Sequence, residues 1–245
     1  ELAVRTAQLV PGAEYAGSFY AGTVLYVASA VLLTRIPDST AASLVDPTPP
    51  RRLKEIAAQP VFRVAVLAAL VSYTVMSFIM TATPISMHVV DGHDAVATAR
   101  VIQVHLLGMY LPSLASGWII AKFGDGPVII AGTLLMAVCV AIASFAGHAV
   151  LHYGWALGVL GFGWNLLFIA ATTMLTKTYR AQERVQTQTL NDFLVFGAQA
   201  VASLLAGLAV TTLGWERLNI ATLPLLVAVL VAMLSLGRRP ALAPG

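Results

Sequence analysis

Seven long apolar runs dominate this chain, at about residues 15–33, 61–90, 97–121, 127–146, 151–176, 188–213 and 218–236. Each is close to or above the roughly 20 residues that a helix needs to cross the hydrocarbon core of a bilayer. Lipid offers no hydrogen-bond partner to the backbone, so only helices and closed barrels span it. Barrel strands alternate polar and apolar residues over about ten positions, and these runs do not alternate. The pattern predicts an all-α, polytopic membrane protein with seven transmembrane helices. Composition agrees: the chain is 58% hydrophobic and 10% charged, where a soluble domain carries about 45–50% and about 25%. A soluble globular fold and a disordered chain are both excluded on these values. A net charge of +3, with no basic stripe interleaved with aromatics, speaks against a nucleic-acid binder.

The connectors between runs are short except for one polar stretch, 35–60, which holds Pro37, Pro47, Pro49, Pro50 and the basic cluster Arg51, Arg52 and Lys54. It divides the chain into a loop end with a lone helix (1–36), a linker (37–60) and a group of six helices (61–245). Basic residues orient membrane proteins, gathering on the cytoplasmic side. If the runs alternate sides, Arg35, Arg51, Arg52, Lys54, Arg63, Lys122, Lys177, Arg180, Arg184, Arg238 and Arg239 face one side, and only Arg5, Arg100 and Arg217 the other. The linker and the C-terminus are therefore expected to be cytoplasmic, in the inner membrane of a bacterium. The first residue is Glu1 and the opening stretch reads as the end of a loop, so the chain is expected to be a fragment. A lone cysteine, Cys139, in an apolar run excludes an intramolecular disulfide and any multi-cysteine zinc site.

The turn after the third run reads Gly117-Trp118-Ile119-Ile120-Ala121-Lys122-Phe123-Gly124-Asp125-Gly126. On its own it describes a helical hairpin with glycines in the turn. It also resembles the G-x-L-x-D-R-x-G-R-R signature of major facilitator superfamily transporters. Gly117, Ile119, Lys122 and Gly124 match; Ala121 stands at the acidic position and Asp125 at a basic one. One helix, a basic linker and six helices resemble helix six, the central loop and helices seven to twelve of that family. The resemblance implies a six-helix half-bundle of two inverted three-helix repeats. It also implies secondary active transport of a small organic solute by alternating access, with proton or ion coupling, no cofactor, and a missing N-terminal half as partner in the bilayer. A native seven-helix receptor or an intramembrane enzyme remains the alternative. Enzyme motifs are absent: no H-E-x-x-H occurs, and the only lysines are Lys54, Lys122 and Lys177.

Polar groups inside the runs are the candidate site residues, because they are costly there. Tyr73, Ser77 and Met80 share a helical face with Met76, Pro84 and Met87. That face is either a helix contact or a cavity wall. Gln103 and His105 lie in the third run; His105 is a candidate proton site or a histidine donating to a carbonyl. Trp164 and Asn165 follow Gly158, Gly161 and Gly163, which read as a close-packing face. Asn191 and Asp192 read as a helix cap, as the start of a salt bridge to Lys177, Arg180 or Arg184, or as a coupling group; Gln199 lies deeper. The candidate lining is Tyr73, Ser77, Met80, His105, Trp164, Asn165 and Gln199; the candidate coupling and gating residues are His105, Asp192, Lys122 and Arg184. Glu183 and Arg184 read as solvated charges. His88 and His93 read as interfacial. His148 and His152 are spaced as a metal pair but have no carboxylate near them in sequence, so no metal site is expected.

Overall fold

The computed structural model describes residues 16–35 and 48–237. Arg5, Arg238, Arg239, Pro37 and Pro47 lie outside the described residues. The chain divides into two compact units, Glu1–Asp46 and Pro47–Gly245. The first contains α1 (Ala16–Leu33), whose apolar core Phe19–Leu33 is shorter than the other spans.

The second unit is all helix among the described residues. In order it contains α2 (Leu53–Ala58), α3 (Pro60–Pro84) running into a π-helical turn (Ile85–Val90), α4 (Ala95–Tyr110), α5 (Ser113–Phe123), α6 (Asp125–Phe145) and α7 (Val150–Thr176). A 3-10 turn (Ala181–Glu183), α8 (Arg184–Leu213), α9 (Trp215–Ile220) and α10 (Leu223–Gly237) follow. Among the described residues six membrane-length apolar spans result, with α4–α5 and α9–α10 each counting as one.

Proline and glycine set the breaks. Pro60 opens α3, where its missing N–H costs nothing. Pro84 removes an intrahelical donor near the other end, and the chain relaxes into the wider turn, in which the Asp91 N–H reaches the Ser86 carbonyl at 2.9 Å. The third run, read as one span over about 97–121 with Pro112 inside it, crosses as one span but is divided at Leu111-Pro112 into α4 and α5 for the same reason. Gly124 (φ 83°) and Gly214 (φ 80°) make the tight α5–α6 and α8–α9 turns in a left-handed conformation. Asp94 caps α4, its Oδ1 accepting from the Ala97 N–H at 2.6 Å.

Helices α3 and α7 form the interior: 61% of each apolar window is buried, against 17% for α4–α5 and 22% for α8. Helices α4, α6 and α3 all pack on α7, and α8 packs on α3. Glycines allow the closest crossings. A Cβ at Gly108 of α4 would come within 2.5 Å of the Gly158 carbonyl of α7, and one at Gly132 of α6 within 2.5 Å of the Leu167 N. The glycines before Trp164 thus form the close-packing face that the sequence suggested.

Candidate functional site

Near the middle of α3, α7 and α8, four aromatic rings converge. Tyr73 meets Trp164 at 5.1 Å, Phe168 at 4.7 Å and Phe196 at 5.5 Å between centroids, each edge-to-face. Trp164 and Phe168, one helical turn apart on α7, lie nearly parallel at 5.3 Å. Such contacts are favoured by the ring quadrupole. The cluster is closed on one side and open on the other: Trp164 is 6% exposed and Phe196 50%. The Trp164 Nε1 is buried and has no hydrogen-bond partner among the described residues. Ser77, one turn beyond Tyr73, is buried; Met80 and Gln199 are half-buried, and Gln199 makes no hydrogen bond among the described residues. Of the seven lining candidates, the fold therefore brings Tyr73 and Trp164 into contact and adds Phe168 and Phe196. Neither phenylalanine stands out in an apolar run, since only the neighbouring helix reveals its role.

His105 and Asn165 sit elsewhere, in the α4–α7 contact. His105 is fully buried, and its Nδ1 donates to the Leu157 carbonyl at 2.9 Å. Asn165 is 1% exposed. Its amide nitrogen donates to the Met109 carbonyl (2.7 Å) and to Ser113 Oγ (2.6 Å), and its Oδ1 accepts from Ser116 Oγ (2.7 Å). Met109 is among the last carbonyls of α4, which the proline break leaves without helical donors. One amide thus spans the break and holds α5 to α7.

At the end of the bundle where residues 48–59 dock, two sequence readings change. Glu183 is not solvated: it is fully buried and accepts from the Arg51 guanidinium at 2.7 and 3.0 Å and from the backbone N–H groups of Arg51 and Arg180. Burial of a carboxylate demands such pairing. Gln59 and Arg51 also donate to the Thr178 carbonyl, both at 3.0 Å. Asn191 and Asp192 are not a cap, because α8 already begins at Arg184, two turns earlier. Lys177 pairs with Asp125 at 2.8 Å and the Arg180 guanidinium donates to Thr48. Asp192 is exposed and, among the described residues, accepts only from its neighbour Asn191 at 3.1 Å. Lys122 lies over the rings of Trp118 (4.8 Å) and Phe123 (5.3 Å). Arg184 is exposed and forms no ion pair among the described residues.

At the opposite end, His148 and His152 do not act as a pair. His148 lies between Asp91 and Glu216, carboxylates that only the fold brings near. Among the described residues no group of three or more histidine, cysteine, aspartate or glutamate side chains could hold a metal ion.

Three relatives and one family model bear on this geometry. The Major Facilitator Superfamily model matches residues 66–245. The riboflavin transporter RfnT of Brucella anthropi is 37% identical over 236 residues, 96% of this chain and 59% of that protein. Two uncharacterized MFS-type transporters of Bacillus subtilis, YdeG and YddS, are 33% and 30% identical over 60% and 64% of this chain. The chain spans 34% of YdeG and 36% of YddS, so it covers between about a third and three-fifths of these relatives.

Proposed function

This chain belongs to the major facilitator superfamily, and from that premise we propose that it is the C-terminal part of a secondary transporter for a small planar heteroaromatic solute of the riboflavin kind. The half-open ring cluster of Tyr73, Trp164, Phe168 and Phe196 carries this reading. A flat aromatic solute entering from the open side stacks on Phe196 and Tyr73. The unpaired Trp164 N–H offers one donor to a ring carbonyl or nitrogen. The name of the 37%-identical relative supports the flavin class.

Ser77, Met80 and Gln199 extend the lining, while His105 and Asn165 set the backbone of α4 and α5 around it. A half-bundle of this kind rocks against a second half to expose the midplane site to either side in turn. The partner here is an N-terminal half of the same transporter. The positive-inside bias supports a cytoplasmic linker and C-terminus, with Lys122 and Arg184 at the inner gate. For proton coupling, the geometry favours Asp192 over His105. The former is exposed on α8, one turn before Phe196 of the ring cluster; the latter is enclosed, with no acid among its hydrogen-bond partners.

The test is uptake of labelled riboflavin by the full-length protein in proteoliposomes, with and without an inward proton gradient. Saturable uptake that falls in Tyr73→Ala and Trp164→Ala supports the reading. Uptake equal to empty liposomes for riboflavin and for other planar heteroaromatics refutes it. A gradient effect that survives unchanged in Asp192→Asn refutes the coupling assignment alone.

A further inference from the structure

The end of the bundle opposite the linker is tied together by one imidazole. His148, in the loop between α6 and α7, places its Nδ1 at 2.9 and 3.0 Å from the two carboxylate oxygens of Asp91. Its Nε2 lies 2.6 Å from Glu216 Oε1. Asp91 ends the π-turn before α4, and Glu216 is in α9 just after the α8–α9 turn. One side chain therefore joins all three hairpin ends on this face.

The protonation state follows from valence. A neutral imidazole has one N–H and one bare lone pair, whereas an ionised carboxylate only accepts. With carboxylates at both nitrogens, a neutral ring would set a lone pair against an anionic oxygen at 3.0 Å or less. Only the imidazolium donates in both directions. We propose that His148 is a proton-binding site whose charged form latches the three hairpin ends, and that loss of the proton to water releases them.

The surroundings suit a proton that comes and goes. The His148 side chain is 38% exposed and that of Glu216 45%, while Asp91 is only 15% exposed. Asp91 is held from below by the Tyr153 hydroxyl at 2.7 Å, which itself lies 2.6 Å from Ser86 Oγ. His93 donates from Nε2 to the His148 carbonyl at 2.7 Å, and His88 Nδ1 to the His93 carbonyl at 2.8 Å. His152, in the first turn of α7, lies beside Gly147 of the same loop. Arg217, next to Glu216, and Arg100 of α4 are exposed, and among the described residues neither forms an ion pair, so His148 is the one cation paired with these two carboxylates there. The hydrogen bond to Glu216, and after it those to Asp91, hold the imidazole above its ordinary pKa against the effect of partial burial. The sign is then fixed: the latch is fully made below the ordinary histidine pKa and is lost as pH rises through the raised value.

The test needs no knowledge of the solute and so stands or falls apart from the transport reading. The full-length protein, with Cys139 and any other cysteine replaced by Ala, carries Met87→Cys as reporter. Met87 is fully buried in the π-turn beneath Asp91. Labelling by a membrane-impermeant maleimide in liposomes is normalised to exposed Ala146→Cys, which cancels the pH dependence of the thiolate. We expect the normalised rate to rise several-fold between about pH 6 and about pH 9, and to be flat in His148→Gln. Glu216→Gln, which keeps the Asp91 arm, should move the midpoint to lower pH. A flat profile in the parent overturns the proposal, as does an unchanged profile in His148→Gln. If that variant does not fold, an unchanged midpoint in Glu216→Gln decides against it equally.

Discussion

Asn165 offers the sharpest test of how this half-bundle is built. Asn165→Ala removes three hydrogen bonds that cross from α7 to α4 and α5. Ser116 retains a bond to the Pro112 carbonyl, so its hydroxyl is not orphaned. The Met109 carbonyl and the Ser113 hydroxyl lose the partner that Asn165 provided. Interhelical hydrogen bonds within membranes average about 0.6 kcal/mol, so the three bonds together contribute about 2 kcal/mol. An unsatisfied buried acceptor adds about 1–3 kcal/mol if no water reaches it. The expected loss is therefore about 2 kcal/mol of unfolding free energy if water satisfies the acceptor and up to about 5 kcal/mol if none reaches it. The assay is reversible SDS-titration unfolding of the purified protein in bicelles, paired with riboflavin affinity from tryptophan quenching. A bracket role predicts a large loss of stability with affinity changed only a few-fold in the fraction that remains folded. A stability change under about 0.5 kcal/mol combined with abolished binding would show that Asn165 touches the solute, and the bracketing argument would fail.

Other consequences follow from the same contacts. Glu183→Gln cannot hold the Arg51 guanidinium as an ion pair, so trypsin should cut after Arg51 or Arg52 markedly faster; an unchanged cleavage rate would mean that the segment is held by its other contacts. Gly108→Ala drives a methyl against the Gly158 carbonyl and should cost about 1–3 kcal/mol, read as a fall in Tm that a surface change such as Gly117→Ala does not cause. If the proposed flavin-class reading holds, Tyr73→Phe, which keeps the ring contacts, should preserve riboflavin binding better than Tyr73→Ala, which loses about 0.5–1.5 kcal/mol per ring contact. Trp164→Phe should keep the stacking but lose the free N–H, and equal affinity for riboflavin in both proteins would remove that donor from the site.

What the sequence alone could determine was set by the solvent. A bilayer forces each apolar run of about 20 residues into a helix, because its backbone can pair only with itself. The six long spans, the glycine turn at Gly124 and the candidacy of Tyr73 and Trp164 were legible for that reason. The break at Pro112 was not, because a proline inside an apolar run is compatible with a kink or with a full interruption. The tertiary structure decided every polar partnership. Arg51 meets Glu183 across 132 residues, and His148 meets Asp91 and Glu216 across 57 and 68. Asn165 reads equally well as a solute contact or as a bracket until α4 is laid beside it. The helices are apolar nearly all round, so they carry no amphipathic stripe to show which way each one faces. The order and rotation of the helices, and with them the ring cluster and the histidine latch, are therefore settled only when small residues such as Gly108 and Gly132 lock the crossings.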